Sequence, residues 1–517
     1  MSKPKRRRPL RVILTILCCI VGVIVIAVGG LMISTAVARS NQNAMLADGV
    51  NLNEPLPIKP PPMDVASTDG ATTRGGFIVT PAAAGERGAP FSAYYGDISE
   101  VGYTESEYFL SGVARHYIPE GELTSDGMWT LTSGSTLPYT TRILVQRPID
   151  PARFNGTVIV EWANVSSGYD FSLGAPEGIY REGFAYVLVT AQPIGITGFD
   201  EDPKGLKVWD PERYAALDIP DEGLSYDIFT QAARAVGTDR ANEGVDPMGG
   251  LTVERLVAYG ASQSGSRIRA YANGVQPIES TFDALMPILD GGHASDFLEA
   301  AAHGVKGGGS RDVPAKVRGD LRVPVLSMTT QTEAAFLFGT RQPDSNVYRS
   351  WEITGSPHFP AQLSTIIANT LIRDGIAEGS VSVPDHPDNV DWYPVLEAAF
   401  VRVNEWMQGE STPPRFPPIQ ISLLRFTYSN DKHGNAQGGL RLPEITVPTA
   451  TYDVSIFGGL LGKTTPFSRD RLAELYPTHE DYVAKVTSAA AQAREDGILL
   501  PFRAQEYIDE AIAADIP

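Results

Sequence analysis

Leu256-Val-Ala-Tyr-Gly260-Ala-Ser262-Gln-Ser264-Gly265 is the stretch on which the reading of this 517-residue chain turns. An apolar run ends at a glycine, and a polar, small-residue segment then opens a helix. A serine presented on such a strand-to-helix turn sits in a strained backbone conformation. It needs small residues two places before and two after, because strand and helix backbones approach closely there. Gly260 and Ser264 supply them if Ser262 is the presented residue; Ser262 and Ser266 supply them if it is Ser264. Ser262 is the better register, since Gly260 ends the strand directly, and Ser264 is kept as the alternative nucleophile.

Outward from this turn the chain alternates short apolar runs with helical patterns. Tyr139–Gln146, Thr157–Trp162, Phe184–Thr190, Leu256–Tyr259, Phe282–Leu289, Val323–Met328 and Ser350–Thr354 read as strands. Asn155-Gly156 signals a tight turn before the second of them. Leu224, Ile228, Phe229, Ala232, Ala233 and Val236 repeat at helical spacing, as do Leu396, Phe400, Val403 and Met407. Strands that are apolar throughout and separated by helices predict an α/β fold, with a mostly parallel central sheet and helices on both faces. Right-handed crossovers then bring the strand carboxyl ends to one edge, where a site forms. The Gly/Ala-rich segment 290–320, with Gly307-Gly308-Gly309, interrupts the alternation as a lid-like insertion or a surface excursion.

A serine nucleophile of this type needs a carboxylate and then a histidine, each following a later strand. The strand 323–328 runs into Thr-Thr-Gln-Thr-Glu333, and the strand 350–354 into Gly-Ser-Pro-His358. Glu333 is the expected acid, with Asp344 as the alternative, and His358 the expected base. The other histidines, at 116, 293, 303, 386, 433 and 479, precede the acid strand or follow no clear strand. Oxyanion donors are expected from the backbone N–H of Gln263 and from the loop after 157–162, at Asn164 or Val165. Trp162, Gln192 and 290–320 are candidate pocket elements. No phosphate-binding glycine loop, dinucleotide fingerprint or metal-ligand spacing is present, so no cofactor and no metal are expected. The only cysteines are Cys18 and Cys19, which leaves the body without thiol chemistry or disulfides.

Charge divides the chain. Residues 1–40 hold seven Lys/Arg and no acid, whereas the remainder sets 35 Lys/Arg against 61 Asp/Glu, a net −26. A body so acidic excludes nucleic-acid binding. Six basic residues up to Arg11 precede Val12–Ala38, which carries no charge. As a helix those residues would reach roughly 40 Å, longer than the ~30 Å hydrocarbon core. Residues 1–40 therefore read as a signal anchor, or as a signal peptide cleaved after Ala36-Val37-Ala38, with the body extracytoplasmic. Residues 41–75 are Pro-rich and read as a flexible linker, leaving 76–517 as the domain.

The chain also resembles a known family, the secreted or membrane-anchored α/β-hydrolase-domain proteins of largely unassigned substrate. Tyr108–Ala114 (YFLSGVA), Tyr139–Pro148 (YTTRILVQRP), Asn155–Val165 (NGTVIVEWANV), Gly260–Gly265 (GASQSG), Phe282–Gly292 (FDALMPILDGG), Gln331–Glu333, Trp351–His358 (WEITGSPH) and Gly434–Pro443 (GNAQGGLRLP) carry the resemblance. It implies the α/β-hydrolase fold, carboxylic ester hydrolysis, and Ser262, Glu333 and His358 as the triad. Arg commonly follows the S-Q-S-G stretch directly in that family; here Ser266 intervenes before Arg267. The expectation is an extracytoplasmic serine hydrolase acting on a small-molecule or envelope ester through an acyl-enzyme, held to the membrane by its N-terminal helix. An envelope acyltransferase with the same nucleophile and a non-catalytic interaction protein are the alternatives.

Overall fold

The computed structural model describes residues 55–63, 76–173, 175–238, 240, 243–297, 312–376, 388–422, 427–455 and 459–517. The predicted signal segment 1–40 and the glycine run 307–309 lie outside them, as do His303 and His386. Among the described residues no helix is long and apolar enough to cross a membrane.

The main sheet contains β1 (Phe77–Pro81), β2 (Tyr103–Pro119), β3 (Leu131–Pro148), β4 (Thr157–Trp162), β5 (Ala185–Val189), β6 (Glu243–Gly244), β7 (Arg255–Ala261) and β8 (Ala284–Ile288). After a two-stranded pair, β9 (His293–Ser295) and β10 (Asp312–Pro314), it is completed by β11 (Val325–Thr330) and β12 (Tyr348–Ile353). The order across the sheet is β12-β11-β8-β7-β4-β5-β3-β2-β1-β6. From β12 to β5 every pairing is parallel; β5–β3, β3–β2 and β2–β1 are antiparallel. Each apolar run read as a strand is one. The sequence reading missed β1 and β2; along β2 buried and part-exposed residues are mixed, and a register shift between Arg115 and Tyr117 breaks its period.

Alternation along the strands builds two cores. Val158, Val160 and Trp162 of β4, with Leu256 and Ala258 of β7, face one side, where Ile228, Phe229 and Ala232 of the helix Ser225–Ala235 pack. Ile159, Val257 and Tyr259 face the other, against Leu396, Ala399, Phe400 and Val403 of the helix Tyr393–Gln408. The central strands are thus covered on both faces, which is why they carry almost no polar residues. Trp162 belongs to this core: its ring lies 4.8 Å from Phe229 and 5.3 Å from Tyr226. It is a packing residue and not a pocket wall.

Register aligns the carboxyl ends. Ala261 pairs with Ile288, Ile288 with Met328, and Thr330 with Ile353. The residues that follow β7, β11 and β12 therefore emerge along one edge.

Two peripheral segments touch this frame. Residues 55–63, within the Pro-rich stretch, lie on the body: the Met63 N–H donates to Ile278 O (2.8 Å), Pro60 O accepts from Ser280 Oγ (2.5 Å), and Lys59 pairs with Asp283. In the 290–320 segment, β9 pairs with β10 and buried Asp290 accepts two bonds from Arg269 (2.6 and 3.0 Å).

Candidate active site

β7 ends at Ala261, and the helix Gln263–Ala270 begins two residues later. The reversal is absorbed at Ser262, whose φ of 60° and ψ of −120° are rarely adopted by a side-chain-bearing residue. Its N–H donates to Ile288 O (2.9 Å) and its carbonyl accepts the Ser266 N–H (3.1 Å). Ser262 is half-buried on the edge of the sheet, whereas Ser264 is fully buried in the first turn of the helix. The strained residue is therefore Ser262 and not the alternative, Ser264. Gly260 is required by contact: a Cβ there would stand 2.6 Å from Ser264 O and 2.9 Å from Ile268 Cγ1.

Past β11 and β12, Glu333 and His358 meet. His358 Nδ1 lies 2.6 Å from Glu333 Oε1, and both residues are about 95% buried. The other carboxylate oxygen accepts the Thr330 N–H (3.0 Å) and its hydroxyl (2.6 Å), so the helix-capping geometry at Gln331–Ala334 also aims the acid. The histidine loop is stitched to the same turn. Thr332 Oγ1 accepts the His358 N–H (3.0 Å), Gln331 Oε1 accepts the Gly355 N–H (2.8 Å), and Trp392 Nε1 donates to His358 O (3.1 Å). Asp344, the alternative acid, is turned elsewhere. It accepts the Ser350 N–H (3.1 Å) and the Arg415 guanidinium (3.2 Å).

The loop after β4 departs from expectation at one residue. The Asn164 N–H is already spent on Phe171 O (2.8 Å), within a two-way bridge that closes residues 164–171. It is therefore not an oxyanion donor. Its side chain instead donates to Ala261 O (3.0 Å) and accepts the Ser166 N–H (2.8 Å), bracing the residue before the turn at Ser262. Among the described contacts the N–H groups of Val165 and Gln263 carry no hydrogen bond. Below the loop, Glu161 accepts from Ser172 Oγ (2.6 Å), the Leu173 N–H (3.3 Å) and the Tyr186 hydroxyl. Burial pushes its carboxyl up to about 7.

Sequence reasoning missed how Gln192 is used. It lies just past β5, fully buried, and its side chain links Trp162, Gln263 and Glu222. The available signal was a polar residue three places after an all-apolar strand. Among the described residues no group of three or more His, Cys, Asp or Glu is placed to hold a metal.

A sheet of this order, with a strained serine after one strand and a carboxylate–histidine pair after two later ones, defines an α/β hydrolase architecture. A model of the alpha/beta hydrolase domain family matches residues 78–509, and the chain belongs to that family. A search of curated proteins finds no match. Among solved structures the chain is similar to esterase Est22 (11% identity, 54% of this chain and 80% of that one, TM-score 0.27). It is also similar to an alpha-beta serine hydrolase homologue from Coxiella burnetii (11%, 41% and 84%, TM-score 0.23). A third is the acetyl xylan esterase from Paenibacillus sp. R4 (13%, 48% and 77%, TM-score 0.23). Likeness at this level decides nothing about activity.

Proposed function

We propose that this protein is a serine hydrolase that cleaves a carboxylic ester through an acyl-enzyme. The observation that carries the proposal is the 2.6 Å contact between Glu333 and His358 on the sheet edge from which strained Ser262 emerges. Ser262 Oγ attacks the ester carbonyl while His358 Nε2 takes its proton. The N–H groups of Gln263 and Val165 hold the oxyanion, a contribution on the order of 3 kcal/mol for one such donor. His358 returns the proton to the departing alcohol, and water then repeats the cycle on the acyl-enzyme. Glu333 keeps the proton on Nδ1 and stabilises the imidazolium. The run of six basic residues before the uncharged stretch 12–38 supports an extracytoplasmic body held at, or released from, a membrane.

Fluorophosphonate labelling of the full chain, with peptide mapping, tests this reading. Labelling at Ser262 that is abolished in Ser262→Ala and His358→Ala and retained in Ser264→Ala is expected. Absence of labelling in a folded protein would leave a non-catalytic protein on a hydrolase fold.

A further inference from the structure

Gln192 is fully buried, and its amide is read from both ends. Oε1 accepts the Trp162 indole N–H (2.9 Å) and the Gln263 side-chain N–H (3.1 Å). Nε2 donates to Glu222 Oε1 (2.7 Å), which also accepts from Arg267 Nη2 (2.7 Å). Turning the amide over would set its N–H against the Trp162 indole N–H and its carbonyl against the Glu222 carboxylate, so one orientation is imposed. Gln263 and Arg267 are four residues apart, on one face of the helix behind Ser262. A single buried cluster therefore grips that helix at its first residue and again one turn later. The cluster is anchored to the ends of β4, through Trp162, and of β5, through Gln192.

Such a cluster is a poor device for stability alone. Arg267 and Glu222 are both almost entirely buried, and apolar residues of equal volume often serve as well or better than a buried ion pair. A cluster whose four hydrogen bonds tie two strand ends to one helix does define position, although Glu222 Oε2, Gln263 Oε1 and Arg267 Nε make no hydrogen bond among the described residues, and position matters at this point of the chain. Among the described residues the Gln263 N–H has no hydrogen-bond partner, and it stands at the start of the helix, where an oxyanion donor must be held to within about 0.5 Å.

We infer that Gln192 is a positioning residue: through the Gln263 side chain and the Glu222–Arg267 pair it fixes the nucleophile helix so that the Gln263 N–H meets the oxyanion. The inference rests on the serine hydrolase reading and deepens it. Gln192 touches no reacting atom, so its removal acts on the transition state through Gln263 and leaves substrate binding nearly unchanged.

The test is a double-mutant cycle on the full chain with p-nitrophenyl acetate, using Gln192→Met, Gln263→Met and the double variant, with thermal unfolding of each. The expected result is a fall in kcat of about ten- to a hundredfold for Gln192→Met, a fraction of what losing an oxyanion donor costs. KM should stay within about threefold, and the double variant should lose no more than Gln192→Met alone, because that substitution already removes the bond to Gln263. A lowered unfolding temperature with unchanged kcat, or losses that multiply in the double variant, would make Gln192 merely structural and overturn the inference. These outcomes presuppose an active wild type. A wild-type chain that neither hydrolyses the ester nor takes up fluorophosphonate overturns the hydrolase reading itself, and this inference with it.

Discussion

Replacing Glu333 with Gln changes one atom of the site and should nearly abolish catalysis. In the native arrangement Oε1 faces His358 Nδ1 at 2.6 Å, while Oε2 accepts the Thr330 N–H and hydroxyl at 3.0 and 2.6 Å. A glutamine amide can be placed in two ways. With its oxygen toward Thr330 both donors stay satisfied, but the NH₂ group then points at Nδ1, which must accept. The imidazole proton is forced onto Nε2, the nitrogen that has to take the Ser262 proton. With its oxygen toward Nδ1 the useful tautomer survives, yet the NH₂ group meets the Thr330 N–H. Leaving that buried donor unpaired costs about 1–3 kcal/mol. At 1.4 kcal/mol per tenfold, the productive arrangement is then outnumbered by about five- to more than a hundredfold. Loss of the carboxylate charge facing the imidazolium adds to this, and the combined effect should approach the ~10⁴-fold known for amide replacement in a Ser-His-Asp triad. The assay is kcat/KM on p-nitrophenyl acetate for Glu333→Gln beside the wild type, with circular dichroism to show that both are folded. A loss smaller than tenfold would refute the assignment of Glu333 as the residue that orients His358.

Two further perturbations probe other parts of the structure. Gly260→Ala places a Cβ 2.6 Å from Ser264 O, so helix and strand must separate; a destabilisation of about 1–3 kcal/mol is expected, with a larger loss of activity. Thermal unfolding and turnover measured together check it, and a variant as stable and active as the wild type would count against the close approach. Asp388 is almost wholly buried, and burial pushes its carboxyl from the ordinary range up to about 7. Between about pH 4 and pH 7 the native state therefore holds this proton more tightly than the unfolded chain does, so its contribution to stability falls as pH rises through that window. Asp388→Asn keeps an acceptor for the Val390 N–H (2.9 Å) and removes the charge. Relative to the wild type it should gain unfolding temperature steadily from pH 5 to 7.5, and a constant difference across that range would contradict the burial argument.

The sequence by itself determined the α/β architecture. Strands buried on both faces are largely apolar, so β4, β5, β7 and β8 stand out as runs between helical patterns, while β11 and β12 were read from shorter apolar stretches mixed with polar residues. The turn at Ser262 was legible for a related reason, since the close approach of strand and helix demands Gly260 locally. The order of serine, acid and histidine along the chain placed Glu333 and His358 after later strands.

Only the tertiary structure decided which groups meet. Asp344 and Glu333 both precede β12, and the choice between them depends on which carboxylate packs against His358 Nδ1, 25 residues from Glu333 along the chain. Asn164 failed as an oxyanion donor because its N–H is consumed by Phe171, a bridge that no local pattern announces. The bonds of Gln192 join residues 30 to 71 positions apart, brought together by strand order and crossover. Burial leaves its mark on each residue's own character and can be read along the chain. A hydrogen bond between distant polar groups leaves no periodic trace, because it depends on where two separate backbones come to rest.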